Sequence, residues 1–163
     1  MAGNSLTIEQ IMDLLTNNPL HIAKLTADLT LAQLHTTPDL DEWSANDVLA
    51  HLRSCADMWV NAIEAILEQD NRTIKAINPR TWIDSTDYPN QKFRTSFRAF
   101  HEQRNELLAT LKALPQKSWS SSATVTGAGK PLERTVYFYA HWLATHERTH
   151  VKQIGRIVNT IRK

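Results

Sequence analysis

The sequence predicts an all-α protein, a bundle of four long helices. Three observations lead there. Four stretches repeat apolar residues every three or four positions, the period that gathers them on one helical face. The 163 residues include only four glycines, too few for a chain of many short strands and tight turns. Long stretches carry no proline, and prolines and polar clusters fall between the periodic segments.

The first helix opens on Thr7-Ile8-Glu9-Gln10, a capping box with Thr7 as N-cap and Gln10 three residues in. Ile8, Ile11, Met12, Leu14 and Leu15 follow at helical spacing. Asn17-Asn18-Pro19 is expected to interrupt it. Pro19 suits a first helical position with Asn18 as cap, so a new or kinked helix is expected from there. A short turn over 30–34 and a polar loop over 35–42 come next.

Ser44 caps the second long helix, and Asp47 suits the positive end of its dipole. Its apolar face is Val48, Leu49, Leu52, Cys55, Ala56, Trp59, Ile63, Ile66 and Leu67. The pattern fades near Glu68-Gln69-Asp70. Residues 71–90, with Pro79 and Pro89, form a long connection, a length that is usually functional or a crossover. The third helix is expected over about 91–113, with Phe93, Phe97, Phe100, Leu107, Leu108 and Leu111 inward. Arg94, Arg98, Glu102, Arg104 and Glu106 make its charged outer face, and Pro115 ends it. Segment 116–132 is rich in Ser, Thr and Gly and reads as loop, with room for a short hairpin at Gly127-Ala128-Gly129. The last helix is expected over about 133–160. Lys152, Arg156, Arg162 and Lys163 suit the negative pole at its end. No internal repeat is present.

Composition sets the class. With 42% hydrophobic and 21% charged residues the chain is not disordered. One domain, 1–163, is the default at this length, and it buries about 70% of its unfolded surface. Eighteen basic against 17 acidic residues give a formal charge of +1. With no basic stripe, nucleic-acid binding gains no support. A single cysteine excludes an internal disulfide framework and fits a reducing compartment. Met1-Ala2-Gly3-Asn4-Ser5 lacks the charged and apolar regions of a signal peptide. No run of about 18 apolar residues exists, so no membrane span is expected. The expectation is a cytoplasmic protein.

The chemistry lies in the histidines, seven in all. His146 and His150 stand four apart on the last helix. They are therefore roughly 40° apart around its axis and about 6 Å along it. Both rings can reach one ion. His51 sits among Val48, Leu52 and Cys55 on the inner edge of the second helix. A buried imidazole needs two hydrogen-bond partners, or a metal and one partner. A lone inward histidine is more often a satisfied core residue, and an i,i+4 pair also arises by chance. Three inward histidines from two helices weigh the other way. Three such ligands leave coordination positions open, as catalytic sites do. His21, His35 and His101 read as exposed. His141 lies about 140° around the helix from His146 and is not expected to share the ion.

Neighbouring side chains admit two readings each. Cys55, one turn after His51, is a softer fourth ligand or, preferably, a small buried residue packed on the last helix. Asp47 is first a helix-terminus charge and second a partner that orients His51. Glu147 and Arg148 project off the ligand row and are expected in solvent. Trp59, Trp142 and Tyr139 either line a pocket beside the ion or, preferably, fill the core.

Trp43-Ser44, Val48-Leu49-Ala50-His51-Leu52 and His146-Glu147-Arg148-Thr149-His150-Val151-Lys152-Gln153-Ile154 resemble the signatures of the DinB/YfiT-like superfamily. That resemblance spans nearly the whole chain in helix order. It implies a four-helix bundle with up-down-down-up connectivity and a long crossover between helices two and three. It also implies a divalent ion, nickel or zinc, on His51, His146 and His150. Many members have a second histidine immediately before the last ligand, where this chain has Thr149.

Three functions remain open. The first is a metal-dependent thiol S-transferase or hydrolase acting on a small-molecule substrate. The resemblance implies bacillithiol- or mycothiol-using relatives and a mycothiol-dependent maleylpyruvate isomerase, hence a low-molecular-weight thiol as cosubstrate. The second is a non-catalytic, stress-associated metal- or ligand-binding bundle. It is motivated by the lack of an inward carboxylate beside the histidine pair, unlike the glutamate of a zincin helix. The third is a metal-free bundle whose histidines only pack. No catalytic residue is assigned, and a homodimer is the expectation because such bundles commonly pair through two helices.

Overall fold

The structure, a computed structural model, describes residues 5–162. Residues 1–4 and Lys163, on which the signal-peptide reading and part of the C-terminal dipole reading fall, lie outside them. Four long helices dominate: α1 (Ile8–Thr26), α3 (Ala45–Glu68), α5 (Phe93–Lys112) and α6 (Val136–Arg162). Between them lie the short helices α2 (Leu31–Leu34) and α4 (Pro79–Trp82), and the strands β1 (Arg72–Lys75), β2 (Ser122–Thr126) and β3 (Leu132–Thr135). No helix among the described residues is long and apolar enough to cross a membrane.

Capping chemistry places the starts as the sequence indicates. Thr7 and Gln10 form the capping box of α1, and Ser44 and Asp47 that of α3. A third box, Thr30 with Gln33, starts α2, where only a turn was expected. Asp47 spends its carboxylate on the Ser44 N–H at 2.9 Å, which is the helix-terminus role.

The connectivity is up-down-down-up, and a few contacts fix it. β1, just after α3, pairs in parallel with β2, which follows α5. The C-terminal ends of α3 and α5 therefore lie at one end of the bundle. β3 pairs antiparallel with β2 and leads into α6, which runs back the other way. Tyr137, at the start of α6, donates its hydroxyl hydrogen to the Leu6 carbonyl (2.5 Å). At the other end Arg162 meets the Leu25 carbonyl (3.3 Å) and pairs with Asp28. So α1 runs parallel to α6. The chain from α3 to α5 must then travel back along the bundle.

That crossover is laid along α3 by polar contacts. Ser54 Oγ donates to the Pro79 carbonyl (2.5 Å). Asp57 accepts from Trp82 Nε1 (3.0 Å), the Tyr88 hydroxyl (2.5 Å) and Gln103 Nε2 (3.0 Å). The Arg53 guanidinium lies 3.7 Å from the centre of the Tyr88 ring. Asn46 Nδ2 donates to the Pro89 and Gln91 carbonyls, each at 3.3 Å. The hairpin expected at Gly127-Ala128-Gly129 is present as β2 and β3. Its turn needs φ of +90° at Gly127 and +85° at Gly129, values glycine adopts freely.

The core has two halves. One apolar cluster holds Leu15, Trp59, Ile63, Leu107 and Leu143 toward the sheet. The other holds Ile22, Leu49, Phe93, Phe100 and Ile154 toward the far end. A polar layer crosses the waist between them. Arg104 and Glu147, 2% and 0% exposed in their side chains, form a bidentate pair, one arm of it at 2.8 Å. Asn18 Nδ2 donates to Glu147 Oε1 and to the Ala144 carbonyl.

This layer corrects three expectations. Glu147 is not in solvent, and Arg104 is not on an exposed face. Nor does Pro19 break the first helix: α1 runs unbroken from Ile8 to Thr26. Proline has no N–H for the carbonyl four residues back, here Leu15. Arg104 Nη1 donates to that carbonyl instead, at 2.9 Å. One buried guanidinium thus satisfies the backbone that proline leaves open. Helix α6 starts three residues later than expected, because 133–135 belong to β3.

Candidate metal centre

Beside the polar layer, α3 and α6 bring three imidazoles together. His51 sits in the second turn of α3, and His146 and His150 on successive turns near the middle of α6. The Nε2 atoms of His51 and His146 are 3.4 Å apart, and those of His146 and His150 are 3.2 Å apart. The ring centres lie 4.5–5.2 Å from one another. Four-residue spacing and a common inward face produce this on α6. Packing of α3 against α6 supplies the third ring.

Gln153 Oε1 lies 2.7 Å from His150 Nδ1. An amide oxygen only accepts, so the ring hydrogen sits on Nδ1 and Nε2 presents a lone pair. Burial pushes His51 down from 6.5 to about 4, with further lowering from His150 and then Arg80. Burial likewise pushes His146 to about 4, followed by His150 and His51. Both rings are neutral at pH 7, as ligands must be. The walls are aromatic. Trp43 packs 5.3 Å from His51, and Trp59 meets His146 edge-on at 5.0 Å.

The donors fit a small cation. Ligand distances of about 2.0–2.1 Å in tetrahedral geometry place neighbouring nitrogens about 3.3–3.4 Å apart. The two observed separations, 3.4 and 3.2 Å, match that edge. The buried His146 Nδ1 makes no hydrogen bond among the described residues.

Cys55 joins the cluster. Its Sγ lies 3.6 Å from His51 Nε2, and His51, Cys55 and His146 offer ligand atoms within 4.8 Å of one another. That set offers two nitrogens and one sulfur, and His150 adjoins it through His146, whose Nε2 lies 3.2 Å from its own. Burial, then Glu147, pushes the Cys55 thiol up to about 12, so it is protonated when no metal binds.

The remaining expectations fall in place around the site. His141 stacks on Tyr137 at 5.8 Å, away from the trio. His21 and His35 are exposed, and His35 accepts from the Phe93 N–H at 3.2 Å. Trp59 and Tyr139 are buried core residues, whereas Trp142 is 41% exposed and stacks on Trp59 at 4.4 Å. The core reading therefore holds for Trp59 and Tyr139 and not for Trp142, and the cavity that all three line includes none of the three histidines.

Sequence reasoning did not assign Gln153 its orienting role, although its i+3 spacing from His150 on the inward row is a usable signal. Arg80 comes from the crossover, where no periodicity marks it. A cavity of about 590 Å³ reaches His150, lined also by Trp43, Glu42, Gln153 and Arg156.

The DinB superfamily pattern matches residues 15–154. YfiT from Bacillus subtilis, described as a probable metal-dependent hydrolase with an unusual four-helix bundle topology, superposes with a TM-score of 0.75. It is 18% identical, with 96% of this chain and 90% of that one covered. A protein from Streptococcus pneumoniae has a TM-score of 0.67 at 12% identity, covering 94% of this chain and 93% of its own. At such identities the likeness shows the fold alone. No functionally curated protein matches the chain.

Proposed function

The chain belongs to the DinB superfamily, and from that premise we propose that it is a metal-dependent enzyme acting on a small molecule. His51, His146 and His150 hold one divalent ion, zinc or nickel, and the reaction is a hydrolysis or a thiol S-transfer. The observation that carries this reading is the convergence of three Nε2 atoms at 3.4 and 3.2 Å in a half-buried, aromatic-walled site. The description of YfiT as a probable metal-dependent hydrolase supports it.

A divalent ion in an open three-histidine site lowers the pKa of a bound water or thiol and polarises a carbonyl. The chain's residues do the rest. Gln153 fixes the ring of His150. Trp43 and Trp59 limit water around His51 and His146. The cavity that reaches His150 admits the substrate. Glu147 takes no part as a base, because Arg104 and Asn18 occupy its oxygens.

The assay pairs metal-loaded protein with two substrate sets: activated esters or amides in water, and a low-molecular-weight thiol with a generic electrophile. Turnover that disappears in His150→Ala supports the enzyme reading. Full metal occupancy with no turnover in either set overturns it.

Cys55 favours a second reading, a non-catalytic metal-binding protein. A thiolate at that position completes a closed site of three nitrogens and one sulfur, the arrangement of structural rather than catalytic zinc. Cobalt substitution separates the two. A thiolate-to-cobalt charge-transfer band that vanishes in Cys55→Ala supports the closed site, and its absence supports the open one.

A further inference from the structure

A second cavity, of about 570 Å³, opens between α3, α6 and the sheet, one helical turn from the histidines. Its volume suits a drug-sized molecule. Met58, Trp59 and Ala62 of α3 and Tyr139 and Trp142 of α6 form an apolar wall. Trp142 stacks on Trp59 with planes 26° apart, yet keeps 41% of its surface exposed. Ile77 and Leu132, also exposed, stand at the same opening. Exposed apolar side chains gathered around a concave opening mark a binding site more often than scattered ones do.

The charges in this cavity have one sign. Among the described residues, Lys75 and Arg134 are the only charged ones lining it, with no carboxylate beside them. Neither forms an ion pair among the described residues. The Arg134 guanidinium rests 4.1 Å over the Phe138 ring, which holds it beside the wall without neutralising it. The cavity that reaches His150 differs: both signs line it, Asp41 and Glu42 as well as Arg156.

We propose that this cleft binds a small aromatic carboxylate, its ring laid on Trp142 beside Trp59 and its carboxylate held by Arg134 and Lys75. The aromatic body follows from the unfinished tryptophan stack, since rings prefer offset or edge contacts with other rings. The carboxylate follows from two uncompensated cations at the edge of an apolar floor, where the lower dielectric strengthens the pairing. Guanidinium and carboxylate also match as a two-pronged pair. This site goes beyond the metal-dependent reading and stands without an ion at the histidines.

The test titrates full-length protein with naphthoate, neutral naphthamide and cationic naphthylmethylamine, reading the indole N–H signals of the five tryptophans by two-dimensional NMR. Naphthoate is expected to shift Trp59 and Trp142 and to leave Trp119, in the core beneath the sheet, unmoved. The amide is expected to bind about tenfold more weakly, the scale of one charge-assisted contact, and the amine more weakly still. Arg134→Gln is expected to bring naphthoate to the level of the amide, with its Trp119 signal reporting an intact fold. Equal binding of all three compounds, shifts confined to Trp43, or no binding at millimolar concentration would each overturn the proposal. Running the series on chelated and zinc-loaded protein, with metal content measured separately, keeps this result apart from the fate of the metal centre.

Discussion

The Nε2 atoms of His51 and His146 lie 3.4 Å apart, although 95 residues separate them in the chain. Two neutral rings gain little by meeting in this way. A third ring, His150, closes on the same point at 3.2 Å from His146. The waist of the bundle is built so that it happens. Arg104 and Glu147 tie α5 to α6, Asn18 adds α1, and α3 packs on α6 beside them.

Gln153 holds His150 with its ring hydrogen on Nδ1. Gln153→Ala is expected to weaken metal binding by about 10–100-fold while leaving the fold intact, the usual cost of losing an orienting partner. Competition against a chelating dye measures this. An unchanged affinity would mean that packing alone orients the ring.

The Arg104–Glu147 pair is fully enclosed, so breaking it strands a charge. Glu147→Ala is expected to cost about 3–5 kcal/mol in urea unfolding. Arg104→Met combined with Glu147→Leu is expected to cost less than Glu147→Ala alone, since it leaves no buried charge. The double variant still frees the Leu15 carbonyl opposite Pro19, so it should not match the wild type. A Glu147→Ala cost under 1 kcal/mol would contradict the enclosed pair.

Much of this arrangement is legible in the sequence, and the exceptions share a cause. Period and caps place the four long helices, because each helix must bury one face and end its own backbone. The inward positions of His51, His146 and His150 follow from the same period. Arg104 and Glu147 escape that logic, since a charged residue on a helix flank reads as solvated until its partner on another helix is known. Pro19 escapes for the same reason: the group that satisfies Leu15 comes from α5, 89 residues away. Cys55 and the cleft at the sheet depend on how α3, α6 and the strands approach one another, which no local pattern encodes.

Metal-free protein should show a distinct acid sensitivity. His51 and His146 are held near 4 when folded, against 6.5 for the ordinary imidazole. Between those values the unfolded chain binds more protons than the folded one, so stability falls as pH falls through this window. Above about 6.5 both states are neutral at these rings and the effect vanishes. Urea midpoints of chelated protein from pH 7.5 to 4.5 should drop more steeply for wild type than for a His51→Gln, His146→Gln double variant. Parallel curves would contradict burial of neutral rings.

Asp57 gathers Trp82, Tyr88 and Gln103 and pins the crossover to α3. Asp57→Ala is expected to cost about 1 kcal/mol, because it removes the acceptor of three half-buried donors that water can partly serve. Limited proteolysis should then cut within 76–90 well before wild type is cut there. Equal cleavage rates would show that Ser54 and Asn46 suffice to hold the segment.

The most direct test is elemental analysis of untagged protein, with His51→Ala alongside and melting followed before and after chelation. About one divalent ion per wild-type chain is expected, with little in the variant. Chelation should lower the melting temperature by about 5–10 °C when metal had been in large excess of its dissociation constant. Wild type that stays metal-free after incubation with zinc and nickel, and melts at the same temperature with or without chelator, would mean that the three histidines only pack.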